Sequence, residues 1–354
     1  MKNYRAVALF SGGLDSILAV RLMQEQGWEV ICLHFFAPFF GRPDLADSWR
    51  ETYGIRLECV DVSHEYVAML LQGPEFGLGK FLNPCVDCKI FMFKQAKKYM
   101  LEFGARLIIT GEVLGQRPMS QRRGPLHLIQ NRSKVKDILL RPMSAGLLEP
   151  TTAEKEGDVD REKLLSVSGR GRKDQLEMAR EMGIEDVPTP GGGCLLTQAE
   201  SAKRYLPLLE IKDHVPEPGD FHLANVGRQF WSGDFWLCIG RDKQDNERLE
   251  EIRTDEDYLF FIRQFPGPLG VGRPFGREWP EDMLKSAAAW VCRFAPKARK
   301  SLRTVEVEVS RMGESRIFHV WPEDWGSTDW QEPQWSARKK QAFLERFKEN
   351  THGL

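Results

Sequence analysis

Four apolar, β-rich runs at residues 6–10, 29–36, 56–62 and 106–112 alternate with helical segments such as "CVDCKIFMFKQAKKYMLEFG" at 85–104. Strands separated by helix-length crossovers pair in parallel, because a tight hairpin cannot join parallel neighbours. The alternation therefore predicts an α/β domain whose parallel sheet is covered by helices on both faces. Such sheets bind ligands beyond the carboxyl ends of their strands. Two segments, "SGGLDS" at 11–16 and Thr110-Gly111-Glu112, sit at such ends and are expected to converge on one site.

The first segment is strand, glycine turn and helix. Ser11-Gly12-Gly13 breaks the apolar run, and Asp15 and Ser16 start a helix. Ile17, Leu18, Val20, Leu22 and Met23 give that helix its apolar face, and Gly27 stops it. Glycines let a ligand approach the backbone, and the first free N–H groups of a helix attract anions. A phosphate site is the functional reading; a plain tight βα turn is its competitor. The Gly-x4-Gly-Lys-Ser/Thr loop of kinases and GTPases is absent, since the nearest stretch, 73–81, has the wrong spacing and ends in Phe81.

Charge and cysteine content narrow the class. Lysine and arginine number 50 against 51 acidic residues, so any nucleic-acid surface must be local. No apolar run approaches the ~20 residues of a membrane span. The first residues enter a strand without signal-peptide features, so a cytoplasmic protein with no membrane partner is expected. Seven cysteines in such a chain point to reduced thiols, metal or catalysis rather than a disulfide scaffold.

Cys85 and Cys88 form C-x-x-C at a predicted helix start, where the helix dipole favours thiolates. Cys194 follows Gly191, Gly192 and Gly193, which can bring it to the pair. Structural zinc wants four protein ligands, whereas three cysteines suit an iron–sulfur cluster with one open iron. Persulfide exchange between two thiols is a second reading, and incidental packing a third. Cys32, Cys59, Cys238 and Cys292 lie in apolar contexts and read as buried structural thiols.

The ordered set "SGGLDS", "NPCVDC", "TGEVLGQRPMSQ" and "LLRPMSA" resembles the tRNA thiolation branch of the PP-loop ATP pyrophosphatases over roughly residues 5–200. The pattern is similar to that of the tRNA 4-thiouridine synthetases, and N-P-C-x-x-C also resembles the tRNA 2-thiouridylases. The resemblance implies an adenine nucleotide alpha-hydrolase-like (Rossmann-like) fold. It implies ATP binding by Ser11, Gly12, Gly13, Leu14, Asp15, Ser16, His34, Thr110 and Gly111, with Asp15 placing Mg2+. Substrate contacts would come from Glu112, Gln116, Arg117, Gln121, Arg122 and Arg123. Cys85, Cys88 and Cys194 would hold a [4Fe-4S] cluster and, with Asp15, serve catalysis.

In the implied reaction a uridine carbonyl oxygen attacks the α-phosphate of ATP, pyrophosphate leaves, and sulfur then displaces AMP. 4-Thiouridine is the expected product, with 2-thiouridine or thiocytidine as alternatives. An ammonia-using amidotransferase and a non-catalytic RNA-binding protein are the other readings. The expected partners are tRNA, a sulfur donor such as a cysteine desulfurase or free sulfide, and a second copy of the chain. Three residues keep two readings each. His34 lines the nucleotide site or packs as a capping histidine. Glu112 orients the base or is a helix-start acid. Arg141 pairs with phosphate or with Glu149.

After about residue 205 the texture changes. "LEIKDHVPEPGDFHLANVG" reads as a linker between a PP-loop domain at 1–205 and an α+β domain at 218–354. Within the latter, 223–252 resembles the RNA-binding domain of the NFACT family through Gly240, Arg241, Asp242 and Asn246. Two acid-free basic stretches support RNA contact: 113–136 with Arg117, Arg122, Arg123, Arg132, Lys134 and Lys136, and 283–305 in the second domain.

Overall fold

The structure is a computed structural model that describes residues 5–188, 193–211, 213–324, 326 and 328–351, with side chains placed to residue 346. It divides into two compact units, Met1–Thr197 and Gln198–Leu354. No helix among the described residues is long and apolar enough to cross a membrane.

The first unit holds a five-stranded parallel sheet in the order β3-β2-β1-β4-β5. Its strands are β1 (Ala6–Leu9), β2 (Val30–Phe36), β3 (Arg56–Asp61), β4 (Leu107–Thr110) and β5 (Leu139–Leu140). The expected α/β class is therefore what the chain adopts. Alternate residues point to opposite faces, and both sets are buried: Ala6, Ala8 and Ile109 on one side, Val7, Ile31 and Ile108 on the other. A sheet buried on both faces needs runs that are apolar throughout, which is why β1, β2 and β4 lack the polar alternation seen in the edge strand β3.

Five helices matter for the site: α1 (Leu14–Glu25), α2 (Ala46–Tyr53), α3 (Ser63–Leu71), α4 (Cys85–Glu102) and α5 (Arg123–Arg132). The chain winds from β1 outward through β2 to β3, then returns to the other side of β1 with β4 and β5. β1 and β4 thus flank the switch point, where a crevice opens beyond the strand ends. Leu9 pairs with Thr110, so the loops leaving these two strands start side by side.

The second unit is α+β, as expected. Its six-stranded antiparallel sheet runs β11-β10-β8-β9-β7-β6. The strands are β6 (Arg228–Ser232), β7 (Phe235–Ile239), β8 (Tyr258–Ile262), β9 (Gly270–Arg273), β10 (Val305–Arg311) and β11 (Glu314–Val320). Phe230, Leu237, Phe260, Trp279 and Trp290 form its core with the helix Glu281–Arg293.

The segment read as a linker is structured. Helix Ala199–Glu210 buries Tyr205, Leu206, Leu208 and Leu209 in the second unit, with Tyr205 edge-on to Phe221 at 5.6 Å. Helix Pro218–Ala224 starts with proline and a reciprocal Glu217–Asp220 cap, and buries Phe221, Leu223 and Ala224. Its buried Asp220 accepts from Arg273 at 2.8 Å, and Arg273 also grips both oxygens of Asp257. Pro218 there marks a helix start, and Asp220 is paired inside while Asp213 pairs with Arg277 at the surface.

Candidate functional site

The glycine loop between β1 and α1 is compact and anion-ready. Gly13 caps α1, and the Ser16 hydroxyl turns back to donate to the Gly13 carbonyl at 2.7 Å. The Ser11 hydroxyl lies 3.3 Å from that of Ser16, so the two hydroxyls flank the turn. Among the described residues the N–H groups of Leu14 and Asp15 meet no acceptor, as at any open helix N-terminus, where the dipole favours an anion. Gly12 has φ +74°, and a Cβ there would stand 2.3 Å from the Trp49 ring of α2. Leu14 itself points inward and is buried.

The loop after β4 closes onto this turn. A Cβ on Gly111 would lie 2.5 Å from the backbone of Asp15 and Ser16, so only glycine allows the approach. Gln116 then donates to Asp15 Oδ2 at 2.9 Å. The two segments expected to converge are thus joined by backbone packing and by a hydrogen bond.

His34 lies beside the glycine turn, edge-on to Trp49 at 4.9 Å. Its Nδ1 lies 2.9 Å from the Phe10 carbonyl, and its Nε2 accepts from the Arg42 N–H at 2.8 Å. Both nitrogens are used by backbone, so His34 braces the loops beside the site and has no nitrogen left for nucleotide. Burial lowers its pKa, although the Phe10 carbonyl and Asp44 favour the cation. The unfolded chain therefore protonates at a higher pH than the folded one, and stability drops as pH falls below about 6.5. Thermal melting from about pH 8 to about pH 5 is expected to decline less steeply in His34→Gln than in the wild type. Equal slopes would remove His34 as the cause.

The three thiols also come together. Cys85 is the first residue of α4, and Cys88 lies one turn on. Cys194 is held near them by backbone bonds from Leu195 N–H to the Phe39 carbonyl (2.8 Å) and from Leu82 N–H to the Leu196 carbonyl (3.2 Å). Of the glycines expected to deliver it, Gly191 and Gly192 lie outside the described residues. All three are free and half-buried. Burial raises the Cys194 thiol, and the nearby Cys88 and Cys85 add to the rise. Burial likewise raises Cys88, against the pull of the Tyr66 hydroxyl and Lys89. The helix-start preference for thiolate expected from the sequence is outweighed at Cys88 by desolvation. Among the described residues no three His, Cys, Asp or Glu side chains form a site for a single metal ion. The donor set is sulfur only, which fits an iron–sulfur cluster better than a lone hard or borderline ion.

One loop ties the thiols to the glycine turn. Glu112 is buried and ion-paired with Lys89, next to Cys88 on α4, at 3.3 Å, and with Arg141 at 3.0 Å. Burial would raise its pKa, but Lys89 and Arg141 together hold it below the usual carboxylate range. Glu112 is thus neither a base-facing group nor a helix-start acid. Arg141 pairs with it rather than with Glu149. Farther along, Asn83 donates to Cys85 Sγ at 3.1 Å and to Met119 Sδ at 3.4 Å.

Of the expected substrate residues, Gln121 is buried, whereas Arg117, Arg122 and Arg123 are exposed. Those three have no ion-pair partner among the described residues. Sequence reasoning missed Trp49, Tyr66, Asn83, Lys89 and Met119. Lys89 and Asn83 flank the C-x-x-C and were open to notice. Tyr66, fully buried among Phe39, Phe40 and Phe91, carried no signal.

In the second unit the residues that carry the family resemblance build a helix start. Asp242 caps the helix Lys243–Ile252, Arg241 pairs with Asp245, and Asn246 accepts from Leu269 N–H at 3.0 Å.

Residues 2–146 match the family model described as thiamine biosynthesis protein (ThiI), and residues 227–325 that of the NFACT protein RNA binding domain. The two-part make-up expected from the motifs is what these models match. A "Probable tRNA sulfurtransferase" of Thermococcus kodakarensis is 35% identical over 116 residues, 32% of this chain and 30% of its own length. A "tRNA sulfurtransferase" of Desulfurococcus amylolyticus is 29% identical over 147 residues, 39% of this chain and 29% of its length. A "tRNA-specific 2-thiouridylase MnmA" of Methylobacillus flagellatus is 25% identical over 279 residues, 68% of this chain and 73% of its length. The chain thus spans less than a third of the first two relatives.

Proposed function

We propose that this chain is an ATP-dependent tRNA sulfurtransferase, with 4-thiouridine as its product. The carrying observation is the loop after β4, which packs Gly111 on the glycine turn, hooks Gln116 to Asp15 and anchors Glu112 to the helix of Cys85 and Cys88. One loop sets the phosphate turn and the thiols in fixed relation, as a two-step exchange on one atom requires. An amide-like carbonyl oxygen leaves poorly until it is adenylated. Free N–H groups at the start of α1 and the hydroxyls of Ser11 and Ser16 would hold the departing pyrophosphate. Asp15, a carboxylate at the lip of that turn, suits magnesium, a hard cation.

Cys85, Cys88 and Cys194 would hold the iron–sulfur cluster. Its cationic iron would relieve the raised thiols at Cys88 and Cys194, because ligation replaces their protons. When bound, such a cluster supplies an iron with an open position for incoming sulfur. The same cysteines also suit persulfide exchange, in which one thiol carries the sulfur and another resolves it. Free sulfide would suit the cluster route; the persulfide route would take sulfane sulfur from a cysteine desulfurase, and the disulfide left by the resolving thiol would need an external thiol reductant. The NFACT-type unit and the exposed Arg117, Arg122 and Arg123 would hold tRNA, and a second copy of the chain would complete the active assembly. The ThiI match and the sulfurtransferase relatives support this reading over an amidotransferase.

Nucleoside mass spectrometry of tRNA from a deletion strain tests it. One thionucleoside is expected to vanish and to return with the wild-type gene, its mass and fragmentation naming the base. An unchanged thionucleoside profile would end this reading.

A further inference from the structure

A pocket of about 280 Å³ lies along β5, the edge strand of the first sheet, and Leu139 and Leu140 form part of its wall. It is lined by Arg123, Lys136, Arg141 and Lys155, and by the carboxylates Asp137, Glu149 and Glu154. Glu154 is already engaged by Arg161 and by the Thr151 cap. Asp137 and Glu149 are matched in number by Lys136 and Lys155.

Arg141 sets the polarity. It is 5% exposed; its Nε donates to Glu112 and its Nη1 to Gln130, while its Nη2 is buried without an acceptor. Leaving such a donor unpaired is costly, because it gives up its water without gaining an acceptor. Glu112 is shared between buried Arg141 and half-buried Lys89, so the three together carry one net positive charge. A buried cation with a spare N–H, at a pocket rimmed by Arg123 and Lys136, calls for an anion with several acceptor oxygens.

We propose that this pocket is a phosphate-binding site and that it takes a backbone phosphate of the RNA substrate, an assignment that rests on the tRNA reading above. Arg123 and Lys136 belong to the acid-free stretch 113–136, which also carries the exposed Arg117 and Arg122, so the pocket continues a basic surface. Phosphate contacts of this kind fix register without reading sequence.

The test uses the full chain and an unmodified tRNA transcript, with affinity measured across a salt series. The double variant Arg123→Ala/Lys136→Ala changes only exposed residues. It is expected to bind about tenfold more weakly and to lose about two from the slope of log K against log salt. Arg106→Ala, at the opposite end of β4, is expected to match the wild type. In a second arm inorganic phosphate is titrated and followed by its phosphorus NMR linewidth. Broadening is expected with the wild type and is expected to fall in Arg141→Gln and in the double variant to the part that the glycine turn contributes.

Phosphate binding that depends on the pocket, with unaltered RNA binding by the double variant, would overturn the RNA assignment and leave a free-phosphate site. A wild type that binds tRNA, with both arms untouched by the substitutions, would overturn the pocket altogether. A wild type that does not bind tRNA would defeat the tRNA reading instead, and the phosphate arm alone would then decide the pocket.

Discussion

Cys194→Ser is expected to abolish thionucleoside formation while ATP cleavage continues. Serine matches the size of cysteine, so the half-buried loop keeps its shape and stability stays within about 1 kcal/mol. Its oxygen is a hard donor, however, and can neither complete a sulfur-ligated cluster nor carry a persulfide. Removing a group that takes part covalently, or holds the group that does, costs about three orders of magnitude or more. Cys194 lies near Cys85 and Cys88 and makes no hydrogen bond to the glycine turn among the described residues. Pyrophosphate release with tRNA present is therefore expected to persist, uncoupled from sulfur insertion. Thionucleoside per tRNA and pyrophosphate per minute, measured in one reaction, give both halves. A Cys194→Ser protein that thiolates at the wild-type rate would remove Cys194 from the chemistry.

Gly111→Ala is expected to disable the other half. The new Cβ would meet the Asp15 carbonyl carbon and the Ser16 nitrogen at 2.5 Å, and backbone at a helix start cannot swing aside as a side chain can. Overpacking of this kind costs about 1–3 kcal/mol of stability. The larger loss is functional: a displacement of about 1 Å at a positioned site can cost about a hundredfold. ATP affinity is expected to fall by about that factor, measured by titration calorimetry alongside urea unfolding. Gly124→Ala is the control. Its Cβ meets nothing within 4 Å in α5, so alanine there is expected to stabilise the chain by about 1 kcal/mol or leave it unchanged. Wild-type ATP binding by Gly111→Ala would show that the two loops need not touch.

Much of the first unit was legible because its cues are local. The four runs became β1 to β4, within two residues at either end. The two-residue β5 escaped notice because a pair of leucines has no period to detect. The stretch around Pro216 and Pro218 misled for a related reason. Proline and charge look alike in a linker and at a helix N-terminus, and only the burial of Asp220 against Arg273 separates them.

In the site, residue types were readable and their partners were not. Glycines at 12 and 111, the carboxylate of Asp15 and the three cysteines announced their chemistry through their side chains, or the lack of one. Sequence by itself determined that a parallel sheet would form, that its strand ends would carry a glycine turn leading into a helix, and which thiols were set apart. Tertiary structure alone decided that Glu112 is a buried link between Lys89 and Arg141, that His34 spends both nitrogens on backbone, and that burial raises the thiols of Cys88 and Cys194. The reason is range. Periodicity and turn chemistry act over a few residues. Desolvation and ion pairing depend on which distant segments meet, and Glu112 is 23 residues from Lys89 and 29 from Arg141 in the chain.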